Sequence, residues 1–173
     1  MELLEAIKGR RSTRAFSPEP VPDDVVEKLI NAATRAPSAG NLQPWIFVIV
    51  KKTDLKKKLS QAALNQRHVE EAPVVIVVCS DEERSYAHYG VRGRELYCLQ
   101  DTAAATQNLL LTAHSLGLGA CWTGAFDEKM AREALNTPVG VRPVALIPVG
   151  YAAEVPRRTG RRPLSDVVRH DGF

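Results

Sequence analysis

Three arginines, Arg10, Arg11 and Arg14, crowd one serine, Ser12, in the stretch "RRSTRAF". Guanidinium groups this close repel one another, so they either splay into solvent on a turn or gather around negative charge. Arg161 and Arg162, in "TGRRPL", form a second basic group near the C-terminus. Both clusters supply the planar forks that bind phosphate in two-pronged fashion. Between them lie two stretches with no clear packing role. "APSAGNLQPW" (36–45) offers Ser38, Asn41 and Gln43, short groups able to serve both donor and acceptor edges of a polar ring. "CWTGAF" (121–126) offers backbone N–H groups beside Gly124, where a flat molecule can approach closely. Together they describe a pocket for an anionic, planar, hydrogen-bonding molecule.

Plainer readings compete. Arg14 can pair with Glu19 or Asp23, and the C-terminal arginines can form a solvated tail. Trp45 reads as a core anchor at a strand start, while Trp122 is balanced between packing and lining a pocket. His68, His88, His114 and His170 show no metal-ligand spacing and read as structural or surface groups, so no metal is expected. Cys79, Cys98 and Cys121 form no CxxC pair. They read as small packing residues in a reducing cytosol.

The elements that must position these residues follow from periodicity. Leu3, Leu4 and Ile7 mark a short helix closed by Gly9, and Val26, Leu29, Ile30 and Ala33 mark a second, after the proline loop "SPEPVPDD". "WIFVIV" (45–50) and "VVIVVC" (74–79) are continuous apolar, β-branched runs, predicting strands covered on both faces. "TDLKKKLSQAALNQ" between them reads as a helix with a basic outer face. The longest helix is expected from Arg94 to Leu116, with the stripe Leu96, Leu99, Ala103, Thr106, Leu110, Ala113. Further apolar positions around its circumference predict burial on several sides, including against a second subunit. Asp127 is placed to cap a brief helix to Leu135, and "VALIPVGY" (144–151) is a third strand.

The chain has 173 residues, 45% hydrophobic and 25% charged, with a net charge of +3. This is ordinary globular composition and suits one domain, 1–173. The mild charge does not indicate nucleic acid, and no aromatic residues interleave with the arginines as a single-strand platform requires. No membrane-spanning run is present, and the N-terminus reads as an amphipathic helix rather than a signal peptide, so a cytoplasmic protein is expected.

"RRSTRAF", "APSAGNLQPW", "GLGACWTGAFD" and "IPVGYAAEVPRRTGRRPL" occur in an order that resembles the nitroreductase family of FMN-dependent oxidoreductases, over nearly the whole chain. The resemblance implies an α+β, three-layer α/β/α sandwich with a central mixed sheet and a C-terminal tail reaching onto the partner subunit of a homodimer. It assigns Arg10, Arg11, Ser12 and Arg14 to the FMN phosphate, ribityl and pyrimidine edge. Pro37, Ser38, Ala39, Asn41 and Gln43 match the loop that reaches the flavin held mainly by the other subunit. Asn65 or Gln66 falls where the isoalloxazine is often touched. Trp122 would line the pocket, Thr123 and Gly124 match the segment whose N–H faces flavin N5, and Arg161 and Arg162 match the basic pair closing on the phosphate.

The activity so implied is ping-pong: NADH or NADPH passes hydride to flavin N5 and leaves, and a small oxidant of nitroaromatic, quinone or flavin type takes its place. No protein acid or base is required, and Cys121 is expected to pack. No GxGxxG fingerprint opens a helix, which fits a transient nicotinamide. "SDEERSYAHYGVRG" is too short for a large helical lid, which predicts an open pocket and a broad substrate range. The rivals are a reductive dehalogenase or flavin-cleaving enzyme of the same fold, and a flavin- or nucleotide-binding module without turnover.

Overall fold

The computed structural model describes residues 1–173. Its sheet has four strands, β1 (Trp45–Val50), β2 (Val74–Asp81), β3 (Gly119–Ala120) and β4 (Val141–Gly150), in the order β1-β2-β4-β3. The helices are α1 (Leu3–Gly9), α2 (Asp23–Ala33), α3 (Thr53–Ala62), α4 (His68–Glu71), α5 (Glu82–Arg92), α6 (Cys98–Ser115), α7 (Glu128–Leu135) and α8 (Leu164–Val167).

β2 alternates between two cores, as the two-residue period of a strand demands. Val74, Ile76 and Val78 pack with Ala145 and Ile147 of β4 against α2 and α6; Val75, Val77 and Cys79 pack with Leu146 against α3 and α7. The α/β/α sandwich is therefore present. The expected mixed sheet is corrected: every ladder is antiparallel, and the only parallel pairing is an isolated bridge between Ser12 and Ala120. α3 and α4 return the chain to the same end of the sheet, placing Val75 opposite Val50, so β2 must run back along β1.

Burial on both faces holds for β2 and fails for β1. β1 is the edge strand, and Ile46 and Ile49 are exposed in the single chain. α6 begins at Cys98, after a π-helical turn at Gly93–Tyr97, and buries the C-terminal half of the expected stripe, Thr106, Leu110 and Ala113, but not its N-terminal half. Asp101, Thr102, Ala105, Leu109 and Ala113 are buried, whereas Leu96, Leu99 and Ala103 are only partly covered. Threonine is tolerated there because Thr102 and Thr106 each donate to the carbonyl four residues back, at 2.8 Å.

One further expectation changes. Lys56 is not on the outer face of α3 but buried, its Nζ donating to the Ala72 carbonyl at 2.6 Å. The segment expected to be too short for a large helical lid folds as one short helix, α5, which starts at the Asp81 cap and is kinked at Gly90, where φ is +58°. Asp127 caps α7 as expected, accepting from the Met130 N–H at 2.9 Å.

All three cysteines are buried and unpaired. Burial pushes the Cys79 thiol up to about 12. At pH 8 only about one Cys79 in ten thousand is thiolate. Native protein is accordingly expected to leave Cys79 unlabelled by iodoacetamide at pH 8, with labelling at all three cysteines only in denaturant, as read by mass spectrometry of the digest.

Candidate functional site

Residues 12–17 run along the end of the sheet. The Thr13 N–H donates to the Ala120 carbonyl at 3.0 Å, and the Ser17 N–H donates to the Tyr151 carbonyl at 2.8 Å. Thr13 is buried against Gly119, where a Cβ would lie 2.6 Å from the threonine side chain, so only glycine permits this approach. The pinned segment places Arg10, Arg11, Ser12 and Arg14 on a cavity of about 200 Å³, completed from the tail by Arg157, Thr159 and Arg161.

None of these five arginines has an acidic partner. The acids suggested for Arg14 are not used: Asp23 pairs with Lys51, and Glu19 joins no ion pair. Two like charges about 6 Å apart repel by roughly 0.7–3 kcal/mol between bulk water and an effective dielectric of 20. An uncompensated cluster of this kind is a site for a multivalent anion. His114 borders the adjoining cavity, and burial, then Arg10 and Arg11, hold its pKa below the usual range.

From Ala120, paired with Ser12, the chain continues directly to Gly124. Four residues of extended chain span roughly 13 Å. Thr123 exchanges both backbone hydrogen bonds with Leu146, its N–H donating at 2.9 Å and its carbonyl accepting at 3.0 Å. The Thr123 N–H is therefore spent. The Gly124 N–H has no acceptor in the chain. It shares a planar trans peptide with the Thr123 carbonyl, so it points away from β4. Gly124 is exposed, and a Cβ there would meet nothing nearer than Trp122 Nε1 at 3.6 Å. The packing of the chain does not require glycine at this position, and the space above it is open. Trp122 is 40% exposed beside it and lines that space rather than a core.

The same segment is braced from the turn before α4. Gln66 Nε2 donates to the Ala125 carbonyl at 3.2 Å, while Asn65 is exposed with φ +59°. His68, which the sequence reading set aside as structural or surface, is buried, and its Nε2 shares a 2.9 Å hydrogen bond with Thr123 Oγ1. Its pKa is lowered by burial and then by Arg14, with Glu71 opposing. No periodicity signals this contact, because the two residues lie 55 positions apart, one at the start of a four-residue helix and the other on an isolated bridge.

The loop after Pro37 does not line the arginine cavity, and its partners belong to the end of β2, to α5, to α6 and to the loop itself. The Ala39 N–H donates to Asp101 Oδ1 at 3.1 Å, the Gln43 N–H donates to Ser38 Oγ at 3.0 Å, and Arg84 Nε donates to the Leu42 carbonyl. Gly40, Asn41 and Gln43 all have left-handed φ, between 53° and 55°, a strained arrangement held by these ties. Of the C-terminal pair, Arg161 lines the arginine cavity together with Arg157, whereas Arg162 Nη2 donates to the Asp166 carbonyl.

Asp101 is buried with Oδ2 unpartnered, and burial raises its pKa against the lowering effect of the Ala39 N–H. A raised acid contributes stability that is present below its unfolded pKa and lost as pH rises through the folded value. At pH 7 the carboxylate charge is thus a cost. Asp101→Asn is expected to keep the Ala39 bond and match or exceed the parent melting temperature at pH 7, with any gain shrinking toward pH 4. Asp101→Ala, which strands the Ala39 N–H, is expected to lose about 1–3 kcal/mol in denaturant titration.

No group of three or more His, Cys, Asp or Glu side chains is placed to hold a metal ion, and no helix is long and apolar enough to cross a membrane. The Nitroreductase family model matches residues 7–69 and 61–151. The chain is 36% identical over 195 aligned positions to an NADH dehydrogenase of Thermus thermophilus, covering 97% of this chain and 95% of that one. It is 31% identical to the oxygen-insensitive NADPH nitroreductase of Salmonella typhimurium, covering 98% and 74%. The NADPH:FMN oxidoreductase of Vibrio harveyi, solved with NAD+, superposes with a TM-score of 0.91 at 28% identity, over 99% of this chain and 77% of that one. The order of motifs, the three layers and these matches agree: the chain belongs to the nitroreductase family.

Proposed function

We propose that this chain is an FMN-dependent oxidoreductase that uses NADH or NADPH to reduce a small oxidant of nitroaromatic, quinone or flavin type, by a ping-pong sequence. The observation that carries this reading is one continuous segment, 119–124, with an acid-free arginine cluster at one end and an unspent backbone N–H at the other. FMN has a phosphate for the first and a hydrogen-bond-accepting ring for the second. The fit is supported by the open space over Gly124 and by the complete absence of carboxylates from the arginine cavity.

In this reading Arg10, Arg11, Arg14 and Arg161 hold the phosphate, helped by Arg157 and the Ser12 hydroxyl. The Gly124 N–H, rather than that of Thr123, is the donor toward N5. Gln66 and Trp122 flank that edge, and Asn65 is exposed beside it. FMN, when bound, supplies the redox chemistry, accepting two electrons from the nicotinamide and passing them to the oxidant. The protein orients the ring, neutralises the phosphate and offers a fixed donor where negative charge develops. Pro37, Ser38, Ala39, Asn41 and Gln43 serve the flavin of a second subunit. Exposed Leu3, Leu4 and Ile7 on α1, partly covered Leu96, Leu99 and Ala103, the open edge of β1 and the exposed tail from Ala152 onward support a homodimer. A cytoplasmic setting accords with three unpaired cysteines.

The test is spectroscopic. Purified protein reconstituted with FMN is expected to show a bound-flavin absorption band that bleaches when NADH or NADPH is added without oxygen and returns with an oxidant. Failure to retain any FMN would refute the assignment.

A further inference from the structure

The Leu146 bonds fix Thr123 at two points, its N–H and its carbonyl. With the Gln66 brace lying beyond Gly124, at the Ala125 carbonyl, these two points leave one local motion to the peptide in between. The peptide joining Thr123 to Gly124 can still rock about the line from the Thr123 carbonyl to the Leu146 N–H, carrying the Gly124 N–H with it. A third point off that line limits the motion by fixing the Thr123 Cα and side chain, and the Thr123 hydroxyl is such a point. It is held by His68 Nε2 at 2.9 Å, with both residues buried, His68 at 7% and Thr123 at 3% exposure. His68 is itself fixed at the start of α4, whose neighbour Val69 packs into the core with Leu59 and Leu146.

We infer that His68 is a positioning residue: by holding the Thr123 hydroxyl it fixes the direction of the free Gly124 N–H. The consequence for rate rests on the flavin reading, whereas the consequence for the amide does not. The charged groups acting on the ring are Arg14, which disfavours its protonation, and Glu71, which favours it. With burial added, the ring is neutral at pH 7 and carries one N–H. Either tautomer can serve, because the threonine hydroxyl both donates and accepts. The role belongs to a pair of side chains, and neither can supply it alone.

This gives a double-mutant cycle between Thr123→Val, nearly isosteric but without the hydroxyl, and His68→Ala. In flavin-free protein the 15N order parameter of Gly124 is expected to fall from about 0.85 to below about 0.7 in each single variant. In FMN-saturated protein the limiting rate of flavin reduction by NADH is expected to fall about tenfold in each, and no further in the double variant, while the Kd for FMN stays within about threefold. Thr123→Ser, which restores the hydroxyl, is expected to recover most of the lost rate and rigidity. A merely structural role would lower melting temperature without this shared loss.

An unchanged Gly124 order parameter in Thr123→Val, or rate losses that multiply in the double variant, would overturn the inference. Should His68→Ala fail to fold, the Thr123 pair decides alone, since Thr123→Val nearly conserves volume and Thr123→Ser loses a single methyl group. A parent protein that binds no FMN would overturn the flavin reading, and the order parameter would then decide for or against His68 by itself.

Discussion

Replacing Arg10 and Arg14 together by alanine is expected to weaken FMN binding by at least about 100-fold, since charge-assisted hydrogen bonds contribute roughly 1.5–3 kcal/mol each. The flavin-free protein is expected to be as stable as the parent or more so, because neither arginine has an acidic partner and both repel their neighbours. The limiting rate of flavin reduction at saturating FMN is expected to change by less than about threefold, because the lost groups serve binding and not the redox step. Flavin titration followed by fluorescence, melting curves with and without FMN, and stopped-flow reduction separate the three quantities. Arg11 is a poorer choice for this test, since its Nη1 also donates to the Lys8 and Arg10 carbonyls, at 2.6 and 2.7 Å.

A pair of glycines gives the second large effect. At Gly119 a Cβ would sit 2.6 Å from Thr13 Cγ2 and Oγ1, and the Thr13 N–H is bonded to the next residue, Ala120. Gly119→Ala is expected to cost about 1–3 kcal/mol of stability, as overpacking of a tight contact does, and to lower FMN affinity by shifting the Ser12–Arg14 segment. At Gly124 the nearest obstacle to a Cβ is Trp122 Nε1 at 3.6 Å. Gly124→Ala is therefore expected to leave flavin-free stability within about 0.5 kcal/mol of the parent. Its effect falls on flavin affinity, because the methyl group occupies the space over the free amide. Equal behaviour of the two variants in urea unfolding and FMN titration would contradict the distinction between a glycine needed by the fold and one needed by the site.

The parts of this structure legible in the sequence are those written as local patterns. "WIFVIV", "VVIVVC" and "VALIPVGY" became β1, β2 and β4 because β-branched runs suit a pleated, covered surface. Asp127 became a cap because its side chain can satisfy a free N–H at a helix start. What went unread depends on tertiary placement. Strand direction is set by where α3 and α4 deliver the chain, and the exposure of Ile46 and Ile49 by the position of β1 at the edge. The buried face at the N-terminal end of α6 differs from the expected stripe because Thr102 and Asp101 look polar in sequence, yet Thr102 is satisfied locally and Asp101 holds the Ala39 N–H through one oxygen. Within the site, the arginines and Gly124 were visible as residue types, and motif order linked them. That the Gly124 N–H is free while that of Thr123 is bonded needed the Leu146 bonds, and the presence of Arg157 rather than Arg162 at the cavity needed the path of the tail. His68 carried no signal beyond its identity.

The central claim is that the arginine cluster exists for the phosphate of the flavin, and comparing FMN with riboflavin tests it most directly. The two molecules share the ring and differ in the phosphate. Titrated into flavin-free protein under the same salt, FMN is predicted to bind at least about 100-fold more tightly, with the gap narrowing as ionic strength rises and largely closing in the Arg10→Ala/Arg14→Ala variant. Equal affinities for FMN and riboflavin in the parent protein would contradict the account and leave the arginines to another anion.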